Sequence, residues 1–148
     1  MKKRLLVALL LISVALANSA FAADDHSHGH DSQGVETGLS GLSLNNDQPW
    51  EMDEHTRNMS KKMHDTFITG DHSSLEGLTS VGVQLERQME TLIKGCTMTG
   101  EAHDQLHLFL NSHIPTINAL AKADNYNSAR ENAIRLKGQL EAYQKHFR

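Results

Sequence analysis

Residues 73–95 read SSLEGLTSVGVQLERQMETLIKG, and this stretch decides the fold. Its apolar side chains recur three or four positions apart, the spacing that places them on one face of an α-helix. They are Leu75, Leu78, Val81, Leu85, Met89, Leu92 and Ile93. Ser73 and Glu76 form a capping box, with the serine at the helix start and the glutamate three residues later. The stretch therefore predicts an amphipathic helix that ends at Gly95.

A helix with the same spacing is predicted on the N-terminal side, from about Pro49 to Thr69. Proline suits the first turn of a helix because its missing N–H has no partner there. The inward stripe of this helix is Met52, His55, Met59, Met63 and Phe67. Gly70 ends it.

Two more helices are predicted on the C-terminal side. Thr99 can cap one of them, which Pro115 kinks rather than ends because the apolar period continues beyond it. Its stripe is His103, Leu106, His107, Leu110, Ile114, Ile117 and Leu120. The last helix spans about residues 126–146, with Ser128 and Glu131 as a second possible capping box. Its stripe is Ala129, Ala133, Leu136, Leu140, Tyr143 and Phe147.

Four helices of about 20 residues joined by short turns predict an all-α fold, an antiparallel up-down-up-down four-helix bundle over residues 48–148. No stretch shows the alternation of a β-strand. Residues 23–47 are polar and rich in Gly, Ser, Asn and Asp, which predicts a disordered segment before the bundle.

Residues 1–22 have the three parts of a secretory signal peptide. Lys2, Lys3 and Arg4 precede an apolar stretch, and Ala20-Phe21-Ala22 has the small-x-small pattern of a cleavage site. The apolar stretch is shorter than the roughly 20 residues that span a bilayer. We therefore expect a soluble protein exported to a bacterial periplasm.

The charge of the chain narrows the range of partners. Removing residues 1–22 leaves 11 Lys and Arg against 18 Asp and Glu, a net charge of −7 with neutral histidines. Nucleic acids and anionic membranes select basic surfaces, so neither is an expected partner. An acidic domain favours a cation as ligand.

A metal site is the first explanation for the only cysteine, Cys96. Met98, His103 and His107 follow it within twelve residues, and the two histidines lie one helical turn apart on one face. Soft sulfur together with imidazole is the donor set that copper, especially Cu(I), prefers. The alternatives for Cys96 are a buried inert thiol and an intermolecular disulfide that makes a homodimer.

The predicted topology gathers further ligand-type residues at the same end of the bundle. They are Met52, His55, Met59, Tyr143 and His146. The polar segment adds His26, His28 and His30, a short tract of the kind that binds transition metals weakly. By contrast, Met63 and Met89 are expected to fill the core. His64, His72 and His113 are expected to be surface or hydrogen-bonded residues.

The last helix carries a family resemblance. Residues 136–148 read LKGQLEAYQKHFR, which resembles the closing Ala-Tyr-His-x-Lys-aromatic-Arg segment of cytochrome b562, and Asn58-Met59 resembles an Asn-Met pair in the first helix of that family. The resemblance implies a periplasmic four-helix bundle that holds haem b between a methionine of the first helix and a histidine of the last. Met59 matches the methionine, whereas Gln144 stands at the histidine position.

Three functions follow as hypotheses. The preferred one is an exported protein that binds copper at the Cys/Met/His end of the bundle for homeostasis or delivery. The alternatives are a haem-binding electron carrier and a non-metal interaction module dimerised through Cys96. An enzyme is not expected, because the sequence has no inward pair of carboxylates, no nucleophile elbow, no phosphate loop and no HExxH motif.

Overall fold

The computed structural model describes residues 38–148, so the predicted signal peptide and His26, His28 and His30 lie outside the described residues. The four helices are α1 (Glu54–Thr69), α2 (Leu75–Gly95), α3 (Glu101–Ala121) and α4 (Tyr126–His146). They pack against one another, and residues 38–148 contain no strand beyond isolated bridges, which confirms the predicted all-α class. None of these helices is long and apolar enough to cross a membrane.

The first helix begins later than predicted, because the backbone groups just before it are hydrogen-bonded to the C-terminal residues. Residues 50–52 pair with residues 146–148, and α1 begins only at Glu54 instead of Pro49. The three bonds of this terminal clasp run from Trp50 N–H to the His146 carbonyl (2.7 Å), from Arg148 N–H to the Trp50 carbonyl (2.9 Å) and from Met52 N–H to the Arg148 carbonyl (2.8 Å). The clasp places the entry of α1 beside the end of α4.

The predicted caps of the other helices were also wrong by one to three residues. The observed N-caps are Ser74 for α2, Gly100 for α3 and Asn125 for α4. The Ser73 hydroxyl donates to Asp71 at 2.6 Å, and it is the Ser74 hydroxyl that accepts the Gly77 N–H at 3.0 Å. Asparagine caps at least as well as serine, which explains why α4 starts at Asn125. The bounds predicted for α2 and α4 are confirmed, and Pro115 lies inside an α3 that continues past it.

Packing between the helices is uneven. The pairs in extensive contact are α1 with α2, α2 with α3, α3 with α4, and α2 with α4. Gly82 permits the close approach of α2 to α3, because a Cβ atom there would lie 2.5 Å from the backbone nitrogen of Ala121. Since α1 and α4 are not among the extensive pairs, the clasp is their main described connection.

Residues 38–47, which the sequence placed in the polar segment, contact the helices. The Ser43 N–H donates to the Gln105 side chain of α3 at 2.9 Å, and the Trp50 indole N–H donates to the Ser43 carbonyl at 2.7 Å. Asn45 and Gln48 pair through both backbone groups. The contacts of the bundle therefore begin before residue 48.

Asp53 ties the start of α1 to the turn between α2 and α3. Its carboxylate accepts the Thr56 N–H at 2.7 Å, and the N–H and hydroxyl of Thr97 at 3.1 and 3.0 Å. Burial alone would raise the pKa of Asp53, but the hydrogen bonds from Thr56 and Thr97 outweigh it and hold the pKa well below 3.8. The turn that Asp53 holds is the one that carries Cys96 and Met98.

Replacing Asp53 should destabilise the fold in a pH-dependent manner. Asp53→Ala removes the cap, and we expect it to lower the free energy of unfolding by about 1–2 kcal/mol at pH 7. Because the carboxylate has a lowered pKa in the folded state, its contribution is fully present well above pH 3.8, begins to fall below that value and is lost completely only below the folded-state pKa. Urea denaturation followed by circular dichroism at pH 7 and pH 3 measures both effects.

Asp53→Asn is the matched control, since an asparagine keeps the cap but loses the carboxylate. It should lose less stability than Asp53→Ala. The free energies of unfolding of wild type and Asp53→Ala should differ less at pH 3 than at pH 7. An equal difference at both pH values would contradict the role assigned to the carboxylate charge.

Candidate functional site

The structure brings Cys96, His103 and His107 to one cleft. Cys96 directly follows α2, and the two histidines lie on the first two turns of α3. All three line a cleft of about 190 Å³ between these helices, whose remaining walls are mainly leucine and isoleucine side chains. Gly100, with a φ of 76°, sits in the short turn that reverses the chain between them.

The two histidines face each other across one helical turn. The Nε2 atoms of His103 and His107 are 2.9 Å apart, so the Nε2–H of one ring donates a hydrogen bond to the Nε2 of the other. Their ring centroids are 4.4 Å apart, and the planes are nearly perpendicular. His103 is half-buried and His107 is exposed. Two Nε2 atoms this close can both bind one ion once neither carries a proton.

Cys96 lines the same cleft as the two histidines but is not close enough to form a three-residue metal site with them. Its side chain is half-buried and packs on the core. Within residues 38–148, no three His, Cys, Asp or Glu side chains are grouped closely enough to hold a metal ion. The cleft is thus lined by a pair of imidazoles from α3 and by the thiol that follows α2.

The other predicted ligands lie at the same end of the bundle but outside this cleft. The Met98 sulfur accepts the Asp53 N–H at 3.5 Å. His55 Nε2 donates to the Thr91 carbonyl at 3.1 Å. Met52 is 2% exposed and belongs to the core. The predicted topology placed Met52, His55 and Met98 at the same end as Cys96, but the structure does not place them in the same cleft.

A second, more apolar site lies between α1 and α4. This cavity of about 280 Å³ is lined by side chains of all four helices. Its apolar wall includes Met63, Met89, Leu92, Leu106, Phe109, Leu110 and Leu140. The exposed residues of the lining, Arg57, Lys61, Gln144 and Arg148, come from α1 and from the C-terminal end of the chain, so the mouth opens there.

Of the two residues matched to haem ligands by the cytochrome b562 resemblance, one lines this cavity and the other does not. Gln144, at the histidine position, lines it. Met59, at the methionine position, packs half-buried against the core and does not line it, whereas Met63 one turn later does. His146 Nδ1 donates to the Ala142 carbonyl at 2.8 Å and is not part of the lining.

His113 lines the cavity and belongs to a buried hydrogen-bond network. Its Nδ1 lies 2.9 Å from the Gln139 side-chain oxygen, which can only accept, so Nδ1 carries the proton and Nε2 does not. Gln139 in turn donates to Thr116 at 3.0 Å and to the Ser112 carbonyl at 3.2 Å. Burial lowers the pKa of His113 from 6.5 to about 4, although the bond to Gln139 opposes this, and the ring is neutral near pH 7.

Sequence reasoning allowed a hydrogen-bonded His113 but did not place it in a cavity wall. Its spacing from Leu110 and Ile117 does put it on the inward stripe of α3. Gln139 falls on the inward stripe of α4 in the same way, three residues after Leu136. The pattern could therefore have revealed that both are buried, but not that they bond to each other.

Comparison of the chain with protein families, with characterised proteins and with solved structures finds no match. Its function must be inferred from the cleft and the cavity.

The neutral, buried His113 should make the fold sensitive to mild acid. Below pH 6.5 the unfolded chain binds a proton that the folded chain does not take up until about pH 4, so stability falls as the pH decreases through this window. Wild type should lose about 2 kcal/mol more unfolding free energy between pH 7 and pH 5 than His113→Gln, which does not titrate. Urea denaturation at pH 7, 6 and 5 gives the comparison. Parallel losses in the two proteins would contradict a neutral buried ring.

Proposed function

We propose that this chain is an exported four-helix-bundle protein that binds a copper ion in the cleft between α2 and α3. The observation that carries the proposal is the 2.9 Å separation of the His103 and His107 Nε2 atoms, with Cys96 in the wall of the same cleft. His103 and His107 are the first two ligands. The Cys96 thiolate is the third and joins them as the metal binds.

Copper suits this donor set better than other divalent or monovalent ions. Thiolate ligands select soft metals such as Cu(I), and imidazole ligands suit copper and zinc. Among the first-row divalent ions, copper also binds nitrogen and sulfur donors most tightly. The negative charge of the chain outside residues 1–22 favours a cation in general.

Binding must displace protons from the cleft. The proton shared by the two Nε2 atoms has to leave or move to Nδ1, and the thiol has to lose its own proton before sulfur can ligate. Copper affinity should therefore fall as the pH is lowered. The exposed His107 leaves an open path for the ion, which suits a protein that takes up and releases copper in homeostasis or delivery.

The antiparallel up-down-up-down order is part of this proposal. The clasp supports it by joining the start of α1 to the end of α4, and the Asp53–Thr97 bonds support it by joining the start of α1 to the end of α2. With this order the turn after α2 and the start of α3 lie at the same end as the clasp. Export to the periplasm and metal capture by His26, His28 and His30 belong to the same proposal.

Haem b binding is the second candidate function, on the observation that Gln144 and Met63 line one cavity. It has less support than copper, because Met59, the position that the cytochrome b562 resemblance assigns to the methionine, is outside that cavity. A Soret band on haem titration that Met63→Ala perturbs would favour it.

The copper proposal predicts one strong site on the bundle. With His26, His28 and His30 all replaced by alanine, the chain should still bind about one Cu(I), because the cleft is untouched. Cys96→Ser or His103→Ala in that background should weaken binding by on the order of 10- to 100-fold, since each removes a ligand. Competition with a chromogenic Cu(I) chelator under reducing conditions measures the affinity.

His64→Ala is the matched control, because this histidine lies on α1 and does not line the cleft. Its affinity should equal that of the parent. Unchanged affinity in both Cys96→Ser and His103→Ala would reject the cleft as the metal site. Disulfide-linked dimers of wild type on non-reducing gels, without any copper binding, would favour an interaction module instead.

A further inference from the structure

The cavity between α1 and α4 is lined by basic and not by acidic side chains, although the chain as a whole is acidic. Three cationic side chains line it, Arg57, Lys61 and Arg148, and no Asp or Glu side chain does. The sequence as a whole carries 18 acidic residues against 14 basic ones. Cations gathered at the mouth of an apolar cavity favour an anionic ligand and disfavour a metal ion.

Polar groups from α1 and α4 line the same cavity as the apolar side chains. The Tyr143 hydroxyl is buried and has no hydrogen bond of full geometry, although the Ser60 hydroxyl lies near it. Burial raises the pKa of Tyr143 and the Asp53 charge adds to this rise, while a hydrogen bond with Ser60 and the charge of Arg57 oppose it. Tyr143, Ser60 and Arg57 all line the cavity, and each carries a donor that an anion in it can accept from.

The cations at the mouth are available to a ligand. Lys61 pairs with Asp65 and Arg148 pairs with Glu51, both at 2.6 Å, but more than half of each of these side chains is exposed. Exposed pairs of this kind contribute little and exchange easily. Arg57 uses one guanidinium nitrogen on the Met52 carbonyl, which leaves other donors free for an anion.

The rest of the cavity is apolar and of limited size. Met63, Met89 and Phe109 form part of its wall, and the neutral ring of His113 adds no charge there near pH 7. Because a dry apolar cavity of about 150 Å³ holds one benzene molecule, 280 Å³ accommodates an apolar body about twice as large. That volume corresponds to a chain of roughly ten to twelve carbons.

We propose that this cavity binds a free medium-chain fatty carboxylate. The alkyl chain lies against the methionine and leucine wall. The carboxylate accepts hydrogen bonds from Tyr143, Ser60 and Arg57, and Lys61 and Arg148 add positive charge at the mouth. This site is separate from the copper cleft and does not depend on it.

Titration of the full chain with laurate, below its micelle concentration, tests the proposal. Isothermal calorimetry should show one site. Dodecanol has the same alkyl chain without the carboxylate, and it should bind at least about tenfold more weakly. Dodecyltrimethylammonium, which carries the opposite charge, should not bind.

Two variants locate the site. Tyr143→Phe and Arg57→Gln should each weaken laurate binding by about tenfold, because each removes a donor to the carboxylate. Lys94→Gln on α2 is the control, since Lys94 is exposed and does not line the cavity. If Arg57→Gln fails to fold, Tyr143→Phe decides alone.

The following results would overturn the proposal. They are no laurate binding, equal affinity for laurate and dodecanol, laurate binding unchanged by Tyr143→Phe, and sedimentation showing a dimer that excludes laurate. Haem binding in the cavity that laurate cannot displace would also overturn it.

Discussion

Three backbone hydrogen bonds between residues 50–52 and residues 146–148 hold the first helix beside the last. Without them α1 would be attached mainly through α2, because α1 and α4 are not in extensive contact. The clasp also sets where α1 begins, and so places Asp53 where it can bind Thr97 after α2. The position of the turn that carries Cys96 and the gap between α1 and α4 both depend on this closure.

The bundle closed by this clasp contains two sites, a cleft and a cavity, that differ in chemistry. The cleft between α2 and α3 presents imidazole and thiol donors, whereas the cavity between α1 and α4 is apolar with a cationic mouth. Leu92, Leu106 and Leu110 line both, so one wall of leucine side chains separates them. The two proposed ligands, a copper ion and a fatty carboxylate, would therefore not compete for the same atoms.

The helices were predictable because each has a strong apolar period, and α2 and α4 have the bounds that their stripes predict. The start of α1 was not, because the pairing of residues 50–52 with residues 146–148 is a long-range contact that no local pattern reveals. Spacing alone was sufficient to pair His103 with His107. It was not sufficient to find the cavity, because the sequence spacing of an inward methionine is the same whether its side chain fills the core or lines a cavity.

The most direct test of the copper site is anomalous X-ray scattering from crystals of the full chain grown with Cu(I) under reducing conditions. The account predicts a copper peak within bonding distance of the Nε2 atoms of His103 and His107 and of the Cys96 sulfur. A peak in the cavity between α1 and α4, a peak bound only by His26, His28 and His30, or a cleft with no peak would contradict it.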